Sequence, residues 1–363
     1  MSVSHFLYAD DLVLVSKSED GLQKSLDNLH IFANSKHLAV SVKKSKTVIF
    51  NKGGKLIDRR FSINGQYLEN VIDFCYLGFN VKASGIVSHA MNILYDKANK
   101  AMRPLVSCIF RFKIPIDVAF RLFHSYIAPI ALYNAENWMI FSDKTIKNYS
   151  PKVAIDVNSN FKIDVLLRKF IKQTLGLNKS CPNIAVYGET GQTPLSIKAF
   201  RSLLSFWYRI TNESDTLAKK ALLENISMRT NWIKTVEKLL GTFNLTDKID
   251  NAKSLKLSWR LTMDTYFTEN WKSNLRLDES SRLKFYKKIK QDFKFEEFLL
   301  LKNFNHRRNI AKIRCSDHKL EIETGRHRNI LPDNRICMLC PSTLVESEEH
   351  FLVNCQLFCK LRV

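Results

Sequence analysis

HFLYADDLVLV, residues 5–15, sets two acids between two apolar runs: Asp10 and Asp11 part residues 6–8 from residues 12–15. The flanks are β-prone and the only turn-formers are the acids themselves. The stretch therefore predicts a tight β-hairpin with both carboxylates at its tip. Adjacent carboxylates beside apolar walls repel each other and lose hydration, so they call for a compensating cation. Hard oxygen ligands at a strand turn suit Mg²⁺, which takes one or two protein carboxylates and completes its shell with phosphate oxygens and water. A surface turn in which the pair is simply hydrated is the competing reading.

Around this stretch, 363 residues leave room for two or three domains, each with its own core. Lys and Arg number 56 against 35 Asp and Glu, a net charge of +21, and so large an excess points to a polyanionic partner, most simply nucleic acid. A ribosomal or membrane-surface protein would carry similar charge. No apolar run reaches 18 residues, which excludes a transmembrane helix, and the N-terminus has no basic-then-apolar signal pattern. Four of the eight cysteines fall between Cys337 and Cys359. That clustering suits metal binding in a reducing, intracellular compartment better than a disulfide framework. The nucleus and a cytoplasmic ribonucleoprotein are not told apart.

Downstream of the acids, Ser18 caps a helix running to about Lys36, with Leu22, Leu26, Leu29 and Ala33 on one face. Residues 36–57 carry six lysines and no acid, with Val40 and Val42 alternating and a short strand over residues 48–50; lysines of this kind commonly protect a sheet edge. Asn64-Gly65 between β-prone runs is a strong hairpin signal, and residues 71–81 follow as a strand. From Ile86 the period turns helical through Ala90, Ile93, Leu94, Lys97 and Ala101, ending at Arg103-Pro104. A second helix over residues 116–126 has Val118, Leu122 and Tyr126 in register, and Pro129 kinks the chain beyond it. Residues 143–160 read as a polar linker or insertion, residues 161–176 as helix, and residues 212–300 as further lysine-rich helices. Helix 195–210 mixes Arg201, Phe206, Trp207, Tyr208 and Arg209, a half-buried core with snorkelling cations rather than a base-stacking face. Residues 301–315 hold five Lys or Arg and no acid; Arg307, Arg308, Lys312 and Arg314 are candidate phosphate contacts, against the reading of a solvated helix face.

At the C-terminal end, Cys337-x₂-Cys340-x₉-His350-x₄-Cys355 has the spacing of a metal site. The CxxC turn places two thiolates together, and a His and a Cys can converge on them to complete the tetrahedral N/S₃ set that zinc prefers in closed structural sites. Glu346, Glu348 and Glu349 are placed to orient the second ring nitrogen of His350, while Cys359 lies outside the motif. Reduced, buried cysteines beside a helical His are the alternative.

FLYADDLVLVSKSEDGLQKSLDNL resembles the catalytic hairpin region of non-LTR (LINE-type) retrotransposon reverse transcriptases. That resemblance implies RNA-templated DNA synthesis with Mg²⁺ held by Asp10, Asp11 and a third Asp on an earlier strand, beside Tyr8. LAVSVKKSKTVIF is similar to the segment after the hairpin, implying that Lys44 protonates pyrophosphate with Lys43 and Lys46 near phosphate, although Ser41 stands where the family usually has Asn. VIDFCYLGFNV resembles the primer grip, with Tyr76, Leu77 and Gly78 against the primer. YIAPIALYNAENW resembles the thumb, CPNIAVYGETGQTP a segment beyond it, and HKLEIETGRHRN with RICMLC and EEHFLVNC the terminal zinc knuckle.

The implied fold is α+β: a partial palm over 1–84, a helical thumb over 85–142, the linker over 143–160, a helical basic extension over 161–330 and a zinc knuckle over 331–363. Implied partners are an RNA template, a DNA target or primer and a dNTP, with no membrane; oligomeric state is left open. Because Asp10 is the tenth residue, the third carboxylate, the fingers and any endonuclease are expected to lie outside this chain, leaving a fragment without polymerase activity of its own. A non-catalytic RNA- or DNA-binding module with a structural zinc is the rival function.

Overall fold

The computed structural model describes residues 4–140, 150–214, 216–245 and 252–362. The chain is mixed helix and sheet, α+β, and divides into two compact units, Met1–Ile93 and Leu94–Val363.

The first unit is built from hairpins. Strand β1 (His5–Tyr8) pairs antiparallel with β2 (Asp11–Leu14) through a two-residue turn, with Tyr8 opposite Asp11. Helix α1 (Glu19–Ser35) starts where sequence chemistry requires: the Ser18 hydroxyl accepts from Gly21 N–H at 3.2 Å, and Glu19 and Asp20 sit in the first turn, where the helix dipole favours anions. Its apolar stripe buries Leu26 and packs with Phe61, Ile63 and Leu68, joined by Leu14, Leu22, Val40, Val42 and Ile49.

The remaining strands are β3 (Lys46–Thr47), β4 (Ser62–Ile63), β5 (Gln66–Tyr67), β6 (Glu69–Asn70), β7 (Asp73–Tyr76) and β8 (Phe79–Lys82). Among the described residues they form separate pairs: β3 with β6 in parallel, and β4–β5 and β7–β8 as hairpins. Residues 48–50, expected as a strand, are described and form none. The lysine stretch turns back on itself over residues 41–45, where Lys44 N–H bonds Ser41 carbonyl, and extended pairing is confined to Lys46 and Thr47. Both later hairpins turn on two residues at positive φ, Asn64-Gly65 at 51° and 73° and Leu77-Gly78 at 45° and 80°, the geometry that lets a two-residue loop match strand twist.

Helix α2 (Ser88–Arg111) runs through Pro104 instead of ending there. An interior proline costs about 3 kcal/mol; the burial of Met102 and Ile109 on either side offsets it. Helix α3 (Ile116–Leu122) passes into a π-helical turn, Phe123–Ile127, ahead of α4 (Ala128–Ala131), whose first turn takes Pro129. The buried face runs through Ile116, Ala119, Phe120, Phe123 and Ile127 at ordinary helical spacing, one residue on from the expected Val118, Leu122 and Tyr126, and Tyr126 is exposed.

Residues 143–149 of the expected linker, with 141–142 at the end of the expected thumb, lie outside the described residues. From Ser150 the chain is core, not linker: the Ser150 hydroxyl caps the short helix α5 (Pro151–Ala154), and Ala154, Ile155 and Val157 are buried. Its polar residues serve local caps, as in Asp156 Oδ1 accepting from Asn158 N–H. Helices α6 (Lys162–Leu175), α7 (Asn183–Thr190) and α8 (Leu195–Asn212) carry this core. Phe123 stacks on Phe170 at 4.5 Å, and helix α9 (Ala252–Leu277) adds a buried residue every fourth position: Trp259, Met263, Phe267, Trp271 and Leu275. The aromatics of α8 are packed inward, Phe206 on Trp232 and Tyr208 on Trp259, with Arg209 lying over Phe206.

Candidate functional site

Asp10 and Asp11 stand where the hairpin puts them, Asp10 in the turn and Asp11 at the first position of β2, both exposed. Ala9 beside them sits at φ 51°, a left-handed conformation that costs a non-glycine residue about 1–2 kcal/mol. Leu77 carries similar strain at its own turn, yet the Asn64-Gly65 turn of the same unit shows a relaxed alternative. The first position of all three two-residue turns takes this φ, and Ala9 and Leu77 carry the cost because they lack the tolerance of Asn for it. Two exposed carboxylates fit a hard divalent ion that draws its other ligands from phosphate and water. Among the described residues, no third Asp, Glu, His or Cys gathers with them.

Of the lysines, Lys43 and Lys44 are exposed on the turn after α1, whereas Lys46 is ion-paired with Glu69 at 2.5 Å and is not a free phosphate contact. Tyr8 is 65% exposed on β1, and Tyr76 faces Phe79 across the half-buried β7–β8 pair.

The basic stretch of residues 301–315 departs from expectation. It forms helix α10 (Phe304–Arg314), but Arg307 is only 3% exposed, donating to Leu301 carbonyl with its guanidinium 5.3 Å over Phe304. Arg308 lies against the same Phe304 ring at 5.1 Å and against Phe110 at 5.8 Å. Arg314 is held by the fully buried Glu189 at 2.6 Å and by Glu296 at 3.2 Å, in a chain that continues to Lys290. These arginines stabilise the interior, and only Lys312 of the four candidates has neither an ion pair nor a ring contact among the described residues. Hydrophilic composition could not separate a buried, paired guanidinium from a solvated one.

The C-terminal cluster assembles as its spacing predicts. One ligand atom from each of Cys337, Cys340, His350 and Cys355 lies within 4.8 Å of the others. An antiparallel bridge between Ile336 and Val345 closes the CxxC turn, and Cys337 N–H donates to Leu344 carbonyl. His350 opens a π-helical turn (His350–Asn354), and Cys355 N–H bonds its carbonyl at 2.7 Å, which sets the fourth ligand beside the first three. Cys340 Sγ lies 3.4 Å from His350 Nε2, close to the roughly 3.5 Å edge that Zn–S of about 2.3 Å and Zn–N of about 2.0 Å give a tetrahedron. The Ser342 hydroxyl, 2.9 Å from Cys340 Sγ, is the main cause that brings this thiol down to about 6, favouring the thiolate a metal requires. The set can hold a metal ion such as zinc, and Cys359 is exposed outside it.

The three glutamates do not serve His350. Glu346 accepts from Glu321 N–H, Glu348 from His318 and Ser316, and Glu349 pairs with Lys288, while His350 Nδ1 is buried with no hydrogen-bond partner among the described residues. Glu346 and Glu348 clamp the cysteine module onto helix α11 (Glu321–His327) and the preceding loop, with Arg335 donating to Ile322 and Ile330 carbonyls, while Glu349 ties it to Lys288. Sequence proximity pointed to the ligand; the fold spent the carboxylates on the neighbouring segment.

Among the described residues no helix is long and apolar enough to cross a membrane, and all eight cysteines are free. Comparison of the chain with protein-family models, with curated proteins and with solved structures finds no match.

Proposed function

We propose that the chain is the hairpin, thumb and zinc-module portion of a LINE-type RNA-directed DNA polymerase, acting on an RNA template and a DNA primer. One observation carries the reading: Asp10 and Asp11 crown a strained two-residue turn between paired strands, in a chain of net charge +21. In this reading Asp10 and Asp11 would hold Mg²⁺, which when bound would supply Lewis-acid activation of the primer hydroxyl and charge neutralisation for the leaving phosphates. Exposed Lys44, with Lys43, meets the nucleotide's phosphates as a compact charge and supplies a proton to the leaving group. The Tyr76-Leu77-Gly78 turn brings backbone close to the primer, which Gly78 permits by lacking a Cβ. The Cys/His module, closed by four protein ligands, acts by shape and not by chemistry.

Catalysis also requires a third carboxylate, which the described residues do not bring to the pair, so the chain alone is expected not to extend a primer. A second reading, a non-catalytic nucleic-acid-binding module, draws on that same observation. Manganese separates the two, because it substitutes for Mg²⁺ and broadens nearby resonances. With dATP present, the parent chain binds Mn²⁺ and the Asp10→Asn/Asp11→Asn variant binds it at least about tenfold more weakly, with RNA affinity and melting unchanged. Equal Mn²⁺ affinity in the two proteins refutes the polymerase reading and leaves the binding module.

A further inference from the structure

A cleft of about 510 Å³ on the first unit belongs to none of the sites above. The Asn64-Gly65 turn sets Tyr67 opposite Ser62, and Leu68 N–H donates to Phe61 carbonyl. This continuation of the ladder brings Arg60 back alongside Tyr67, its guanidinium 5.8 Å from the ring centroid. Tyr67 is 65% and Leu56 60% exposed at the cleft, and Leu68 forms a buried floor. A large aromatic and a leucine left in water beside a cation do little for stability, and neither joins the unit's core.

The charges are unequal. Arg59 is met by Glu19 at 2.6 Å, and Asp58 is exposed on the rim, but Arg60 has no acid partner among the described residues. A guanidinium without an acid partner, lying over a ring that is still 65% exposed, matches the repeating unit of an unpaired nucleic-acid strand, a phosphate next to a flat base. A duplex keeps its base faces stacked on one another and offers none to a tyrosine. A polyacidic peptide would meet the carboxylates of Asp58 and Glu19.

Resting on the nucleic-acid reading above, we infer that this cleft binds single-stranded RNA or DNA, one base stacking on Tyr67 and an adjacent phosphate on Arg60. The site is distinct from the Asp10–Asp11 turn and from every basic residue that composition alone singles out.

The test uses the full chain and a fluorescein-labelled 12-nucleotide RNA of mixed sequence, alone and annealed to its complement. Tyr67→Ala weakens single-strand binding about 5- to 150-fold, the loss of one stacked base, while Tyr67→Phe stays within about threefold because the ring remains. Arg60→Ala lowers the slope of log K against log salt by about 0.7, one single-strand phosphate contact. Duplex binding is unchanged in all three, and equal melting temperatures confirm folding, as expected for exposed side chains. The inference is overturned if Tyr67→Ala and Arg60→Ala bind like the parent with the same slope, if duplex binding falls equally, or if a glutamate-rich peptide competes as well as RNA. A parent chain that binds no RNA at about 0.1 M salt overturns the broader reading as well, whereas insensitive variants of a binding parent overturn the cleft alone.

Discussion

Replacing Asp164 by Asn should flatten the pH dependence of the second unit's stability. Asp164 is fully buried at the start of α6, where one carboxylate oxygen accepts from Ser196 N–H at 2.9 Å and the other from the Ser159 hydroxyl at 3.1 Å. Burial is the largest influence on this carboxyl and pushes it up to about 6 from an ordinary 3.8, against the lowering effects of those bonds and of Arg168. A raised carboxyl binds its proton more tightly folded than unfolded, so its contribution to stability is fully present below pH 3.8 and is lost as pH rises through about 6. The gap corresponds to about 3 kcal/mol at 1.36 kcal/mol per pH unit. Asn keeps an acceptor for Ser196 and cannot ionise, so the variant escapes the loss. Denaturant unfolding followed by tryptophan fluorescence reads the right region, because Trp138, Trp207, Trp232, Trp259 and Trp271 all belong to the second unit. Between pH 4 and pH 7, most of that range, the unfolding free energy of the variant relative to the parent should rise by about 2.4 kcal/mol. Burial also raises Asp264 and Glu323, but those slopes are common to both proteins and cancel in the difference. A relative stability constant to within about 1 kcal/mol over that range would refute the reasoning.

Two further outcomes concern the cysteine module and the buried ion pairs. Protein purified under reducing conditions should carry one zinc per chain, lost in Cys337→Ala; free zinc at 100 times its dissociation constant should add about 2.7 kcal/mol to the module's stability, read by metal analysis and by proteolysis of residues 331–362 with and without chelator. Arg314→Met leaves Glu189 charged and buried without its partner and should cost about 3–5 kcal/mol, with the added Glu189→Gln recovering much of it in thermal unfolding.

Local features were legible in the sequence. The two apolar runs around Asp10 and Asp11, the Asn64-Gly65 pair and the Ser18 cap each act within a few residues, so the first hairpin, the second and the start of α1 could be placed before any fold was known. The Cys/His set was legible for a related reason: its spacing encodes a short turn and a helical step, and the ligands need no distant element to meet. What failed depends on residues far away along the chain. Arg314 reads as a phosphate contact until Glu189, 125 positions earlier, is brought against it. Residues 150–160 look like a linker until α6 and α8 close over them, and the glutamates near His350 turn to α11, its preceding loop and Lys288 instead. Over residues 116–127 two neighbouring faces are both apolar at helical spacing, and only the packing of Phe123 on Phe170 decides that the face one residue on from Val118 and Leu122 is the buried one.

The sequence by itself determined the turns, the caps and the metal-ligand spacing, because backbone sterics and short-range hydrogen bonding act within a few residues. Only the tertiary structure decided which charges face water and which are buried in pairs. Desolvation depends on everything packed around a group, and the chain alone does not say what that will be.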